Sequence, residues 1–358
     1  MDKNNIKDLG KKLIKNFSIT VRKGDEIIAD QVYDQKSDTM VDRMVGAVDE
    51  EYLNFWKSFT QQPQTVSTST IIGSHVSFKT SLTKTAQDTL KVSPDCNGLQ
   101  FFLGSNLSIK RSTLTASDVE SFNTWNKTLK RPLPIFSHMP YCHNLAGSIK
   151  HKSLASNLDM TPTISSLQHE LNEISKLVSS PIKGCVLHIG ATPKTRSEGL
   201  NEVAKTINQV NIPSDTYLCL ETMVQRGNVL GTSFDELNSV LKMCSQPERI
   251  KICIDTCHIH ANGNYNLSQK DQVQQMFSDF YSTFPTDKLA LFHLNDSKVE
   301  FNAKQDKHEF IGKGKIWSLP ESHEAYKYLI ERCQQIGCPA ILETDFTDHS
   351  NAVQLSLR

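Results

Sequence analysis

Ile250-Lys-Ile-Cys-Ile-Asp255-Thr-Cys-His258 is the stretch that decides the fold. From Ile250 to Ile254 it stacks β-branched residues, as a strand buried in a parallel sheet does. The strand would end on Asp255, and His258 follows three residues later, where strand gives way to loop. Asp and His are both ordinary zinc-ligand types, so the pair could face one metal site. Alone, an Asp here could equally cap the next helix. The reading gains weight because an apolar strand running into a ligand-type residue recurs along the chain.

Working outward, eight strand-like runs stand after residue 69: Thr70–Val76, Leu99–Leu103, Leu133–Ser137, Cys185–His188, Tyr217–Glu221, Ile250–Asp255, Leu289–Leu294 and Pro339–Glu343. Amphipathic stretches lie between them, including Thr83–Val92, Ala116–Leu129, Ile164–Val178, Glu198–Val210, Phe234–Cys244, Asp271–Phe284 and Glu321–Ile336. Ser233-Phe-Asp-Glu236 reads as a capping box. Strand-then-helix repeated eight times over about 280 residues is the size and rhythm of a (β/α)8 TIM barrel. A doubly wound open sheet is the alternative, but Gly73-Ser-His-Val is not a phosphate-binding glycine loop.

Residues 1–68 have a different character and are expected to be a small N-terminal α+β extension, with the barrel at 69–358. Phe17–Val21 and Glu26–Tyr33 around the Gly24 turn predict a hairpin. Asp38–Phe59 predicts an amphipathic helix, with Met40, Val41, Met44, Val45, Val48, Tyr52, Phe55 and Trp56 on or near one face. Nothing in this prefix carries chemistry.

The chain has 358 residues and a formal net charge of +0, so no global field draws a polyanion and a nucleic-acid surface would have to be a local patch. No apolar run approaches the roughly 20 residues that cross a bilayer. The N-terminus lacks a secretory core. Nine cysteines, several inside apolar strands and none in a Cys-x-x-Cys pair, read as buried thiols in a reducing intracellular compartment, cytoplasm or nucleus.

In a parallel barrel the C-terminal strand ends meet at one face, where chemistry sits. The third strand leads to His138, the fourth to His188, the fifth to Glu221, the sixth to Asp255 with His258 beyond. The seventh carries His293, the eighth leads to Glu343, and the loop after the seventh adds Asp306 and His308. For any single histidine, a satisfied polar side chain is the commoner explanation. Six strand ends of eight carrying His, Asp or Glu is hard to obtain from packing. Nine such ligands with one bridging carboxylate suit a three-metal cluster. Of the other histidines, His75 is the one expected to line the pocket.

Cys253-Ile-Asp-Thr-Cys-His258, His293-Leu-Asn-Asp-Ser-Lys298, Asp306-Lys-His-Glu-Phe-Ile-Gly-Lys-Gly314 and Ile341-Leu-Glu-Thr344 resemble the signature blocks of the endonuclease IV family of apurinic/apyrimidinic-site endonucleases. The resemblance covers about residues 70–350, in matching order. It implies a (β/α)8 barrel with three zinc ions per chain. His138, His188 and Glu221 would hold the first. Glu221 would bridge to the second, completed by Asp255, His293 and Glu343. His258, Asp306 and His308 would hold the third. The implied reaction is hydrolysis of the phosphodiester 5′ to an abasic site in double-stranded DNA, leaving a 3′-hydroxyl, with trimming of blocked 3′ ends. Glu221 and Glu343 are the implied catalytic residues, and a monomer away from membranes the implied form.

Departures fall on the DNA side. His138-Met-Pro-Tyr141 keeps the tyrosine of the family's His-x-Ser-Tyr but not its serine, and His188-Ile-Gly190 stands for His-Pro-Gly. Leu107 occupies the place of an arginine that enters the DNA stack, and 221–228 replaces a more glycine-rich loop. Tyr141, Asn144, Arg226, Lys298, Lys313 and Lys315 are candidate phosphate contacts. Two other readings fit the same barrel: a metal-dependent sugar isomerase or epimerase, which leaves His258, Asp306 and His308 unexplained, and a non-catalytic damage-binding protein, for which an intact ligand set is superfluous.

Overall fold

The computed structural model describes residues 18–23, 26–34, 39–44, 71–77, 81–147, 160–345 and 348–357. It divides into two compact units, Met1–Gln64 and Thr65–Arg358. In the first, β1 (Ser18–Lys23) pairs antiparallel with β2 (Glu26–Asp34), which is the expected hairpin. β2 also pairs with β3 (Thr39–Met44), so the start of the expected 38–59 helix is instead a third strand. The nine-residue β2 would otherwise present a long row of unpaired backbone groups, and Met40-Val-Asp-Arg-Met44 covers that edge. The remainder of the expected helix lies outside the described residues.

The second unit is a closed barrel. β4 (Ile72–His75), β5 (Leu99–Phe101), β6 (Ile135–His138), β7 (Lys183–Leu187), β8 (Tyr217–Glu221), β9 (Ile250–Asp255), β10 (Leu289–His293) and β13 (Ala340–Leu342) follow one another around it, and β13 closes on β4. Each pairs in parallel with its neighbours, as Glu221 with Cys253 and His293 with Asp255. All eight strands and the seven helical stretches stand where hydrophobic periodicity placed them, apart from end residues. The sequence reading did not include helices Thr256–Ala261 and Asp348–Ser356, or the short ladder of β11 (Asp296–Ser297) with β12 (His308–Glu309). Ser233 caps helix Phe234–Met243 by accepting from the Glu236 amide. The return half of that expected box is not made: the Glu236 carboxylate accepts from the Gly231 and Thr232 amides and pairs with Arg196.

Strand alternation sorts the side chains into two environments. On β9, Ile250, Ile252 and Ile254 face the helix layer. Cys253 joins Phe136, Val186, Cys219, Leu291 and Ile341 inside the barrel. The period of two then fixes what comes next. Two residues beyond each of those six stand His138, His188, Glu221, Asp255, His293 and Glu343. The same alternation places Gln100 inward on β5, because Leu99 and Phe101 belong to a separate outer cluster. Gly73 is obligatory at the seam between β13 and β4, since a Cβ there would collide with the Gly98 carbonyl and the Ile341 side chain.

Candidate metal centre

Glu221 stands at the middle of the ligand-type residues and is fully buried. Its Oε2 lies 3.1 Å from Nε2 of both His138 and His188, and its Oε1 lies 3.1 Å from Nδ1 of His293. Ligand atoms of Glu221, Asp255, His293 and Glu343 all lie within 4.8 Å of one another. So do those of His258, Asp306 and His308, and those of His138, Glu221 and His293. All nine sequence candidates therefore converge on one end of the barrel.

Asp255 serves two purposes. Oδ1 caps the short helix Thr256–Ala261 by accepting from the His258 amide at 2.7 Å, while Oδ2 accepts from Asn295 Nδ2 and faces His308. That helix carries His258 back over the barrel mouth. His308 arrives by a different route, on β12, whose partner β11 contains the buried Asp296. The Asp296 carboxylate accepts from the amides of Gly312, Gly314 and Ile316 at 3.0, 3.2 and 2.9 Å, tying down the loop that follows His308.

Two of the imidazoles have a hydrogen bond of the kind that orients a metal-ligating histidine. His258 Nδ1 donates to the Thr222 carbonyl at 2.8 Å and His138 Nδ1 to the Met139 carbonyl at 2.7 Å, leaving each Nε2 to face inward. Nε2 of His258 and of His308 are buried without a hydrogen-bond partner, yet each lies 3.2 Å from the Asp306 carboxylate. Buried nitrogen atoms left unbonded beside a carboxylate fit a cation between them. Cys257 also lies near Asp255 and His308, but burial pushes its thiol up to about 12, and its sulfur is hydrogen-bonded to the Lys307 carbonyl.

The electrostatics agree. Burial acts to raise the Glu221 pKa, but His188, His293 and His138 outweigh it and hold the carboxyl well below its usual range. Burial opposes charge on His293, yet Glu343 and Glu221 raise its pKa to about 9. His258 is likewise raised, against burial, by Asp255, Asp306 and Glu221. Burial raises the Asp255 pKa despite the nearby His258 and His308. Four carboxylates around one cavity call for positive charge, which either protons on the imidazoles or bound cations can supply.

Similar proteins are known for most of the chain. The family model described as "Xylose isomerase-like TIM barrel" matches residues 95–321. A protein of Oceanobacillus iheyensis named "Probable endonuclease 4" is 30% identical over 286 residues, covering 78% of this chain and 90% of the relative. One of the same name from Malacoplasma penetrans is 30% identical, covering 78% and 91%. The chain belongs to the endonuclease IV family. Endonuclease IV from Thermus thermophilus superposes with a TM-score of 0.64 at 20% identity, covering 80% of this chain and 97% of that one. A D-tagatose 3-epimerase-like protein superposes at 0.54 and 15% identity over 79% of this chain, a likeness of fold. As a member of its family the protein is a nuclease.

Around the mouth of this endonuclease IV barrel, a cavity of about 390 Å³ is lined by His75, Phe102, Tyr141 and Glu343 together with the 104–106 loop. His75 lines it as expected, and burial keeps that ring neutral, with a pKa of about 4. The Tyr141 ring is half exposed and packs 5.6 Å from Phe102 and 5.4 Å from His188. Leu107 is 76% exposed at the tip of its loop. Arg226, Lys298 and Lys313 are exposed on loops that follow β8 and β10. Lys315 pairs with Glu300. Asn144 is different: its amide donates to the Gly147 and Ala191 carbonyls and accepts from the Ala146 and Ala191 amides. It holds the loops after β6 and β7 together and has no polar atom left over for a phosphate. The sequence reading missed Gln100 and Phe102. Alternation on β5 is the signal that could have found the first, because a Gln between Leu99 and Phe101 must point inward.

Proposed function

We propose that this protein cuts DNA on the 5′ side of abasic sites with a trinuclear zinc cluster, leaves 3′-hydroxyl ends and also trims blocked 3′ ends. The observation that carries the reading is the convergence of nine His, Asp and Glu side chains, with Nδ1 of His138 and of His258 each hydrogen-bonded to a backbone carbonyl. His138, His188 and Glu221 would hold one zinc. Glu221, Asp255, His293 and Glu343 would hold a second, and His258, Asp306 and His308 a third. Zinc supplies Lewis acidity there, lowering the pKa of water towards 7 and neutralising phosphate charge.

The chain's own groups do the rest. Glu221 joins two ligand sets through its two oxygens and fixes their spacing. Glu343, which lines the cavity, would orient the attacking water. Phe102 and Tyr141 form an aromatic wall against which a sugar without a base can rest, and they keep bulk water from the phosphate. A nucleotide that has lost its base costs least to turn out of the helix, so selectivity needs no base readout. Tyr141, Arg226, Lys298 and Lys313 hold the phosphates. Every proposed ligand lies on one chain, so the site works in a monomer. The nine free cysteines suit an intracellular protein.

The His258–Asp306–His308 set weighs against a sugar isomerase, for which the other ligands suffice. The test is a duplex labelled at its 5′ end and carrying one abasic site. The product should stop 5′ to the lesion and be extended directly by a DNA polymerase. A product that ends in a sugar fragment, or equal cutting of undamaged duplex, would overturn the reading.

A further inference from the structure

Gln100 is fully buried among the ligand-type residues without being one of them. Its Oε1 lies 2.9 Å from His293 Nε2, and its Nε2 lies 2.9 Å from Glu343 Oε1 and 3.2 Å from His75 Nδ1. Only one orientation of the amide suits these neighbours. An ionised carboxylate can only accept, so the NH2 group faces Glu343 and the oxygen faces His293. His293 Nε2 must then carry a hydrogen, so with a metal bound it is Nδ1, 3.1 and 3.2 Å from Glu221 Oε1 and Glu343 Oε2, that would ligate. The second N–H of the amide meets Nδ1 of the neutral His75 ring. Every polar atom of Gln100 is used.

We infer that Gln100 is a positioning residue for the four-ligand set of Glu221, Asp255, His293 and Glu343, selecting the His293 tautomer and fixing the Glu343 carboxylate. The inference rests on the metal-cluster reading proposed above. A neutral amide is what the place requires. A carboxylate at position 100 would accept from His293 but would set its other oxygen against Glu343. An apolar side chain would leave both ligands free to turn. Asn295 completes the arrangement from the other side, donating from one amide nitrogen to Asp255 Oδ2 at 2.7 Å and Glu343 Oε2 at 3.1 Å. Outer hydrogen bonds of this kind set ligand basicity and ring orientation, and losing one costs about 10- to 100-fold in metal affinity or activity.

The test compares the zinc-reconstituted full chain with Gln100→Met and Gln100→Glu, by chelator competition and by steady-state cleavage of an abasic duplex. Both variants should give up one zinc at a chelator concentration about 10- to 100-fold lower than wild type, with kcat down by a similar factor and KM within about threefold. Folded variants that hold all their zinc as tightly as wild type, at unchanged kcat, overturn the inference. A readout that needs no variant is the long-range 15N–1H spectrum of the histidine rings in the zinc-loaded wild type. His293 should carry its proton on Nε2, and a proton on Nδ1 would overturn the assignment even if both variants fail to fold. A wild-type protein that takes up no zinc instead sinks the cluster reading itself.

Discussion

Oε2 of Glu221 lies 3.1 Å from Nε2 of His188, across the pairing of two neighbouring barrel strands. The opposite oxygen is the same distance from His293, so one carboxylate stands between the two proposed ligand sets. An amide cannot carry that charge to two cations. Glu221→Gln should therefore keep the fold while losing cleavage of an abasic duplex by roughly 10²–10³-fold or more. Cutting at near the wild-type rate in a correctly folded variant would show that Glu221 is not the bridge.

Asp306 is the most exposed of the proposed ligands, with 48% of its side chain open to solvent. Its removal should perturb packing little. Asp306→Ala is expected to bind one zinc fewer than wild type after reconstitution, with cleavage strongly reduced. Elemental analysis showing the full metal complement in the variant would detach Asp306 from the site.

Asp296 acts through the backbone. Its buried carboxylate accepts from the amides of Ser297, Gly312, Gly314 and Ile316, and these hold the loop after His308. Asp296→Ala leaves several buried N–H groups without a partner, a loss of about 2–4 kcal/mol. Urea denaturation should show it, together with weakened binding of the zinc held by His258, Asp306 and His308. A variant as stable as wild type would mean that the loop is held by other contacts.

Much of this was legible in the sequence because two periodicities carried it. Apolar runs of four to seven residues separated by amphipathic stretches placed the eight strands, and the period of two along each strand brought six ligand-type residues to one mouth. What escaped depended on partners distant in the chain. Met40 and Val41 fit either a helix face or a strand, and pairing with β2 decided for the strand. Glu236 stands at capping-box spacing but turns to Arg196, forty residues away in the chain. Asn144 looked like a surface amide, yet loops after two different strands use up its hydrogen bonds. Gln100 was passed over because glutamine is not a ligand type, although its place on β5 follows from the alternation that found the ligands.

The barrel closes through strands that all lie after residue 71, and closure leaves it without a free edge. Residues 1–68 are thus proposed to be an appended module that tunes recruitment or DNA affinity rather than the chemistry. A chain beginning at Ser67 should bind zinc and cut at the wild-type rate under saturating substrate. If that shortened chain is folded and zinc-loaded but cannot cut, the prefix belongs to the active site.

The central claim, that a zinc cluster within this barrel cuts DNA at abasic sites, is met most directly by counting metal and measuring cleavage on the same sample. Purified protein is stripped with a chelator, then titrated with zinc while an abasic duplex is present. The account predicts no cutting by the stripped protein, and activity that rises with zinc and levels off near three ions per chain. Cutting that survives complete removal of metal, or a protein that holds three zinc ions and leaves the abasic strand intact, would contradict it.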